Sequence, residues 1–107
     1  MSGLIRGRIY RTRLAGISGE KFVLVVSNNN RNRALEGVLA IRFTSTPKPL
    51  LPSIIRVPEN EPLAGSSLVC DDIYEVFEAE VTADIGALTP HTMARVNSGL
   101  KAALALV

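Results

Sequence analysis

The chain has 107 residues and a mass of 11.5 kDa, with 47% hydrophobic and 21% charged residues, which is room for one domain with one core and the makeup of a folded globule. Cys70 is the single cysteine and His91 the single histidine, so an intramolecular disulfide and a Cys/His zinc cage within one chain are excluded. The apolar runs 22–26 and 102–107 fall far short of the roughly 20 residues of a membrane span, and the N-terminus breaks into charge too soon for a secretory signal, so the expectation is a cytoplasmic protein with no membrane.

A net charge of +2 hides a polarity along the chain. Residues 1–56 hold ten Lys/Arg against Glu20 and Glu36, a balance of +8, whereas residues 57–107 hold Arg95 and Lys101 against eight acids, a balance of −6. A basic half is the footprint expected of a phosphate-backbone binder or of a surface that receives an acidic partner; the plainer reading is scattered solvated charge.

In chain order, residues 4–14 alternate, with Ile5, Gly7 and Ile9 on one side and Arg6, Arg8, Tyr10 and Thr12 on the other, which predicts a half-buried strand. A glycine-bearing loop over 15–20 precedes the valine-rich run 22–26, expected to be a central strand covered on both faces. The asparagine-rich stretch 28–33 reads as a loop or a short helical turn. Residues 38–44 alternate again and predict a strand with Leu39, Ile41 and Phe43 on one face and Val38, Ala40, Arg42 and Thr44 on the other. Five of the six prolines fall between Pro47 and Pro62, which limits that stretch to an edge strand over 54–57. Further short strands are expected over 67–70 and within 73–81. Thr89 as N-cap and Pro90 at the first helical position open a helix whose stripe is Met93, Val96, Leu100, Ala103, Leu104 and Val107, facing either the core or a dimer partner. Gly99 inside it suggests a close contact. The whole predicts a mainly β domain over 1–107 with some α, a small, strongly bent antiparallel sheet or barrel with a C-terminal helix.

Among residues suited to chemistry, His91 falls in the first turn of that helix, where side chains mostly meet water, and Cys70 lies in an apolar stretch and reads as core. The acids Asp71, Asp72, Glu75, Glu78, Glu80 and Asp84 have no metal-loop spacing and read as a solvated face, so no metal and no cofactor are expected. The remaining concentration is Arg6, Arg8 and Tyr10 on one strand, Lys21 opening the next, Asn28, Arg31 and Arg33 in the polar turn, and Thr44, Ser45, Thr46 and Lys48 after another strand. Cations, hydrogen-bonding side chains and one aromatic ring together suit single-stranded RNA: charge for phosphates, donors for sugar and base edges, a ring for stacking.

Four segments in order carry a resemblance: Arg6-Gly7-Arg8-Ile9-Tyr10, then Lys21-Phe22-Val23-Leu24-Val25-Val26-Ser27-Asn28, then Phe43-Thr44-Ser45-Thr46, then Ile85-Gly86-Ala87-Leu88-Thr89-Pro90 through Met93-Ala94-Arg95-Val96-Asn97 and Leu100 to Leu106. Together they resemble the MazF/PemK family of toxin ribonucleases over nearly the whole chain. That resemblance implies an SH3-like antiparallel barrel with a C-terminal helix, a homodimer, metal-independent and sequence-selective cleavage of single-stranded RNA, and a cognate antitoxin whose acidic tail occupies the RNA groove. It carries the catalytic cation onto Lys21 and the catalytic hydroxyl onto Thr44, and RNA-contacting roles onto Asn28 and the Asp71-Asp72 pair. The chain departs from the family where its usual Arg-Pro is Lys21-Phe22, where the acid after Arg-Gly is Arg8, and where the loop over 15–20 is short. Lysine lacks the guanidinium fork but keeps the charge and gives up a proton more readily. The alternatives are a non-enzymatic, CcdB-like toxin that binds DNA gyrase, and an inactive antitoxin-binding homologue. The gyrase-binding branch ends in an aromatic-bearing tail, whereas this chain ends in Ala103-Leu104-Ala105-Leu106-Val107.

Overall fold

The computed structural model describes residues 2–106. Six strands and two helices follow in the order β1 (Arg8–Thr12), β2 (Lys21–Val25), α1 (Asn29–Ala34), β3 (Gly37–Thr44), β4 (Ile54–Arg56), β5 (Ser67–Phe77), β6 (Val81–Ala87) and α2 (Pro90–Ala103). The strands form one curved antiparallel sheet in the order β4-β5-β3-β2-β1-β6. The two valine- and isoleucine-rich strands β2 and β3 lie at its centre, as continuous apolar runs require when both faces are covered.

Period-2 alternation sends side chains of one strand to two cores. Ile9, Leu24, Ile41 and Phe43 pack on one face with Ile55, Leu68 and Cys70, and α2 covers them through Met93, Val96, Leu100 and Ala103. Tyr10, Val23, Val25, Val38 and Ala40 pack on the other face, where the chain covers itself with Leu4, Leu14, Ile17 and Val76. The alternation expected in β3 is present, but both of its faces are buried. Leu39 and Arg42 are the exceptions, packed in neither core and only half-buried.

Three expectations need correction. The strand expected over 4–14 begins only at Arg8, because Gly7 turns the chain with φ +89° while its N–H donates to the Val25 carbonyl and its carbonyl accepts from the Leu88 N–H. The two short strands expected over 67–81 are one eleven-residue strand, β5, kept continuous across an irregularity: Ile41 faces Ile73 but Arg42 faces Val69, so residues 70–72 bulge out of register. The strand β6 was not expected; its weak alternation leaves most positions only half-buried beside β1.

Helix α2 opens as expected, with Thr89 as N-cap accepting from the Thr92 N–H at 3.4 Å and Pro90 in its first turn. Its stripe faces the core through Met93, Val96, Leu100 and Ala103, whereas Leu104 is exposed and Val107 lies outside the described residues. Gly99 makes the contact its position suggested: a Cβ there would stand 2.7 Å from Cys70 Sγ. No helix is long and apolar enough to cross a membrane among the described residues.

Candidate active site

Antiparallel pairing brings distant chemistry together. Val23 faces Arg42 and Leu24 faces Ile41 across β2 and β3, and Lys21 and Thr44 each lie two residues beyond the Val23–Arg42 pair, at the same end of the two strands. Both line an open cavity of about 370 Å³ with Glu20, Phe22, Phe43, Ser45, Thr46, Leu63 and Ser66. The backbone of Lys21 is fixed, since Thr12 faces it on β1 and donates its buried hydroxyl to the Lys21 carbonyl at 2.9 Å. Thr44 sits at the end of β3, buried except for its rim, and its hydroxyl oxygen accepts from the Thr46 N–H at 3.2 Å. That leaves the hydroxyl proton free to be donated into the cavity. The site thus offers a cation, a hydroxyl donor, two further hydroxyls from Ser45 and Thr46, and apolar walls from Phe22, Phe43 and Leu63.

The other candidates are dispersed. Tyr10 is not available for stacking: its ring is buried in the core, its hydroxyl accepts from the Ile5 N–H at 3.2 Å, and burial pushes its phenol up. Arg8 lies outside the cavity on β1 and grips Asp84 of β6 through Nε and Nη2 at 2.9–3.2 Å, and this hydrogen bonding holds the Asp84 carboxyl below the usual carboxylate range. Arg6 ties three segments together, donating Nε to the Val26 carbonyl at 3.0 Å and Nη2 to Asn97 Oδ1 at 2.5 Å. Asn28 is the N-cap of α1, accepting from the Arg31 N–H at 3.1 Å. Arg31 donates to the Gly37 carbonyl, and Arg33 donates to Asn30 and lines a second cavity of about 250 Å³ with Asn29 and residues 2–5. Lys48 is exposed in the loop after β3 and does not line either cavity.

Asp72, carried by the bulge of β5, meets Arg42 Nε at 2.6 Å. Burial pushes the neighbouring Tyr74 phenol up, and the Asp72 carboxylate adds to that shift. Arg42 was legible as the single charge inside an apolar strand, on the same face as Thr44, but was not singled out. Leu63 and Ser66 had no sequence signal. They reach the cavity through a loop that leaves Leu63 at φ +59° and bonds Ser66 Oγ to the Leu63 carbonyl at 2.6 Å.

Among the described residues no three His, Cys, Asp or Glu side chains converge as a metal site. Cys70, buried under α2, has its thiol pushed up to about 11 by burial, with Asp71 adding, and is chemically quiet.

Residues 5–104 match the model of the PemK-like, MazF-like toxins of type II toxin–antitoxin systems. The chain belongs to this family. It is 36% identical over 106 residues to endoribonuclease MazF4 of Mycobacterium tuberculosis, covering 99% of this chain and 97% of that protein. Endoribonuclease MazF1 of Mycobacterium bovis is similar to the same extent. A mycobacterial endoribonuclease solved with its cognate antitoxin superposes with a TM-score of 0.88 at 35% identity, covering 98% of each chain. A MazE–MazF structure from Deinococcus radiodurans, 18% identical over 97% of each chain with a TM-score of 0.78, shares the fold. This toxin therefore has its four resembling segments set out along one MazF-like sheet and the helix that follows it.

Proposed function

We propose that this MazF-family endoribonuclease toxin cuts single-stranded RNA at the cavity between Lys21 and Thr44, without a metal ion and with the substrate's own ribose 2′-hydroxyl as nucleophile. The 2′-oxygen forms a bond to the adjacent phosphorus and loses its proton to water of the open cavity; the bond from phosphorus to the 5′-oxygen breaks; and that oxygen takes a proton from the Lys21 ammonium. The products are a 2′,3′-cyclic phosphate and a 5′-hydroxyl end. Thr44 donates its hydroxyl to a non-bridging oxygen of the scissile phosphate, and the Lys21 charge is set where negative charge builds up. The observation that carries this reading is the convergence of Lys21 and Thr44, 23 positions apart in sequence, on facing ends of two central strands around one cavity.

Arg31, Arg33, Arg6 and Lys48 extend the cationic surface for neighbouring phosphates, with Asn28, Ser45, Thr46 and Asp72 as polar contacts. Tyr10 and Arg8 are left out of that surface, the first by burial and the second by its pairing with Asp84. The toxin works as a homodimer in the cytoplasm and is neutralised by a cognate antitoxin with an acidic tail, a reading supported by the antitoxin bound to its 35%-identical neighbour.

A mixed RNA incubated with the purified protein in EDTA tests the reaction. Cutting is expected to persist in EDTA and to stop when the nucleotide 5′ of the cut carries 2′-deoxyribose. Activity that disappears in EDTA and returns with magnesium overturns the mechanism.

A further inference from the structure

The Arg42–Asp72 pair stands two residues along β3 from Thr44 and does not line the cavity. Directly paired residues share a face, so Thr12 and Lys21, with Thr44 at the end of β3, form one row, and Tyr10, Val23 and Arg42 form the next on the same face. Adjacent rows on one face are about 6.6 Å apart along a strand. Arg42 therefore stands one row from the catalytic pair. Asp72 belongs to the bulge at residues 70–72, and its carboxylate takes Nε of Arg42 at 2.6 Å while the Arg42 and Asp72 side chains keep 23% and 30% of their surface exposed. The pair is therefore partly open to a ligand as well as holding two strands together.

The chemistry of the pair favours a base over a phosphate. Asp72 neutralises the guanidinium and repels a second anion, which weakens the pair as a phosphate clamp. What remains is a planar guanidinium beside a carboxylate acceptor, with the Tyr74 hydroxyl in hydrogen-bonding reach of both and able to give way to a base edge. Guanine presents the complement along its Watson–Crick edge: O6 accepts, and N1–H and the N2 amino group donate side by side to a carboxylate. Uracil offers one N–H between two oxygens, and adenine and cytosine each offer a single amino group beside ring acceptors.

We infer that Arg42 and Asp72 form a guanine-reading subsite for the nucleotide adjacent to the scissile phosphate, with Arg42 donating to O6 and Asp72 accepting from N1–H and N2–H. The inference rests on Lys21 and Thr44 being the cleaving pair, which is what places the nucleotide.

The test uses the full chain, D72N and R42Q, with K21A as a control, each checked by circular dichroism; where one of the two subsite variants fails to fold, the other decides. A randomised RNA is cut and its new ends are sequenced. In parallel, a randomised 2′-O-methyl RNA pool, which cannot be cut through its 2′-oxygen, is captured and sequenced. Wild type is expected to enrich guanine at one position in both pools, and D72N and R42Q to lower that preference by roughly tenfold or more. K21A is expected to lose cutting and keep guanine enrichment in the uncuttable pool. No guanine enrichment by wild type, or unchanged enrichment in the folded subsite variants, overturns the subsite. Guanine enrichment by a wild type that cuts nothing overturns the cleavage reading and leaves the subsite standing.

Discussion

Lys21 is held by its backbone and free at its side chain. Thr12 fixes the carbonyl from one side, and the lysine stem passes into a cavity whose walls belong to other strands. In the proposed mechanism a charge carried on such a stem acts where the transition state gathers charge, so Lys21→Ala is expected to lower single-turnover cleavage by about 10²-fold or more while the protein stays folded. Lys21→Arg keeps substantial activity, because the cation survives and its fork suits a phosphate. A folded Lys21→Ala protein that cuts at the parent rate removes the lysine from the mechanism. Thr44→Ala is expected to slow cleavage comparably, and Thr44→Ser to restore most of the rate, since serine supplies the same hydroxyl.

At the scale of elements, α2 is anchored by a carboxylate from a distant loop. Glu61, buried, accepts from the Thr89 N–H at 3.2–3.3 Å and from the Thr89 hydroxyl at 2.6 Å, at the helix end where anions are favoured. Burial pushes its carboxyl up, but the hydrogen bonds from Thr89 and Thr92 outweigh that and hold it below the usual carboxylate range. A carboxyl lowered on folding stabilises fully above its unfolded value, about 4.3 for glutamate, and that contribution is lost as pH falls through the lower folded value. Glu61→Ala is therefore expected to cost about 1–2 kcal/mol in urea unfolding at pH 7, with the gap to wild type narrowing below about pH 4. A gap that is constant from pH 7 to pH 3 contradicts the role given to the charge. At the other end of the same helix Gly99 is closed in by Cys70 Sγ at 2.7 Å and Ile55 Cδ1 at 3.1 Å from where a Cβ would sit. Gly99→Ala sets a helix-propensity gain of about 1 kcal/mol against overpacking of about 1–3 kcal/mol, and a lower melting temperature is the expected outcome.

For the whole molecule, the two oppositely charged halves of the sequence are not two halves in space. β6 pairs with β1 and β5 pairs with β3, so Asp84 neutralises Arg8 and Asp72 meets Arg42 across the sheet. The surface left to phosphates is narrower than a balance of +8 over residues 1–56 suggests. RNA affinity should fall with salt, and replacing Arg33 or Lys48 should lower that slope by about 1, whereas replacing the paired Arg8 should change it little. Equal slopes for all three substitutions would show that the pairing with Asp84 does not hold Arg8 back. Leu104 and Leu106 remain half or more exposed beyond α2, apolar surface that the proposed homodimer would cover. Light scattering at micromolar concentration should give twice the mass of one chain, and a monomer would count against it.

Periodicity and capping were sufficient for β2, β3, the edge strand β4 and the start of α2, because each rests on contacts within a few residues: alternation, a β-rich run, a hydroxyl before a proline. The same local chemistry set Lys21 and Thr44 among the candidates, and the family resemblance carried the catalytic roles onto them although Lys21 stands where the family's usual residue is arginine. Packing alone decided which of the candidates meet. Tyr10 goes into the core because β1 is covered on the side where solvent was expected, and Arg8 is spent on a strand whose weak alternation gave no warning. The loop that brings Leu63 and Ser66 to the cavity, and the bulge that sets Val69 rather than Asp72 opposite Arg42, have no periodic signature either. Alternation says which face of its own strand a residue takes; which strand lies beside it, in what register and under what cover, is set by pairing between residues far apart in the chain.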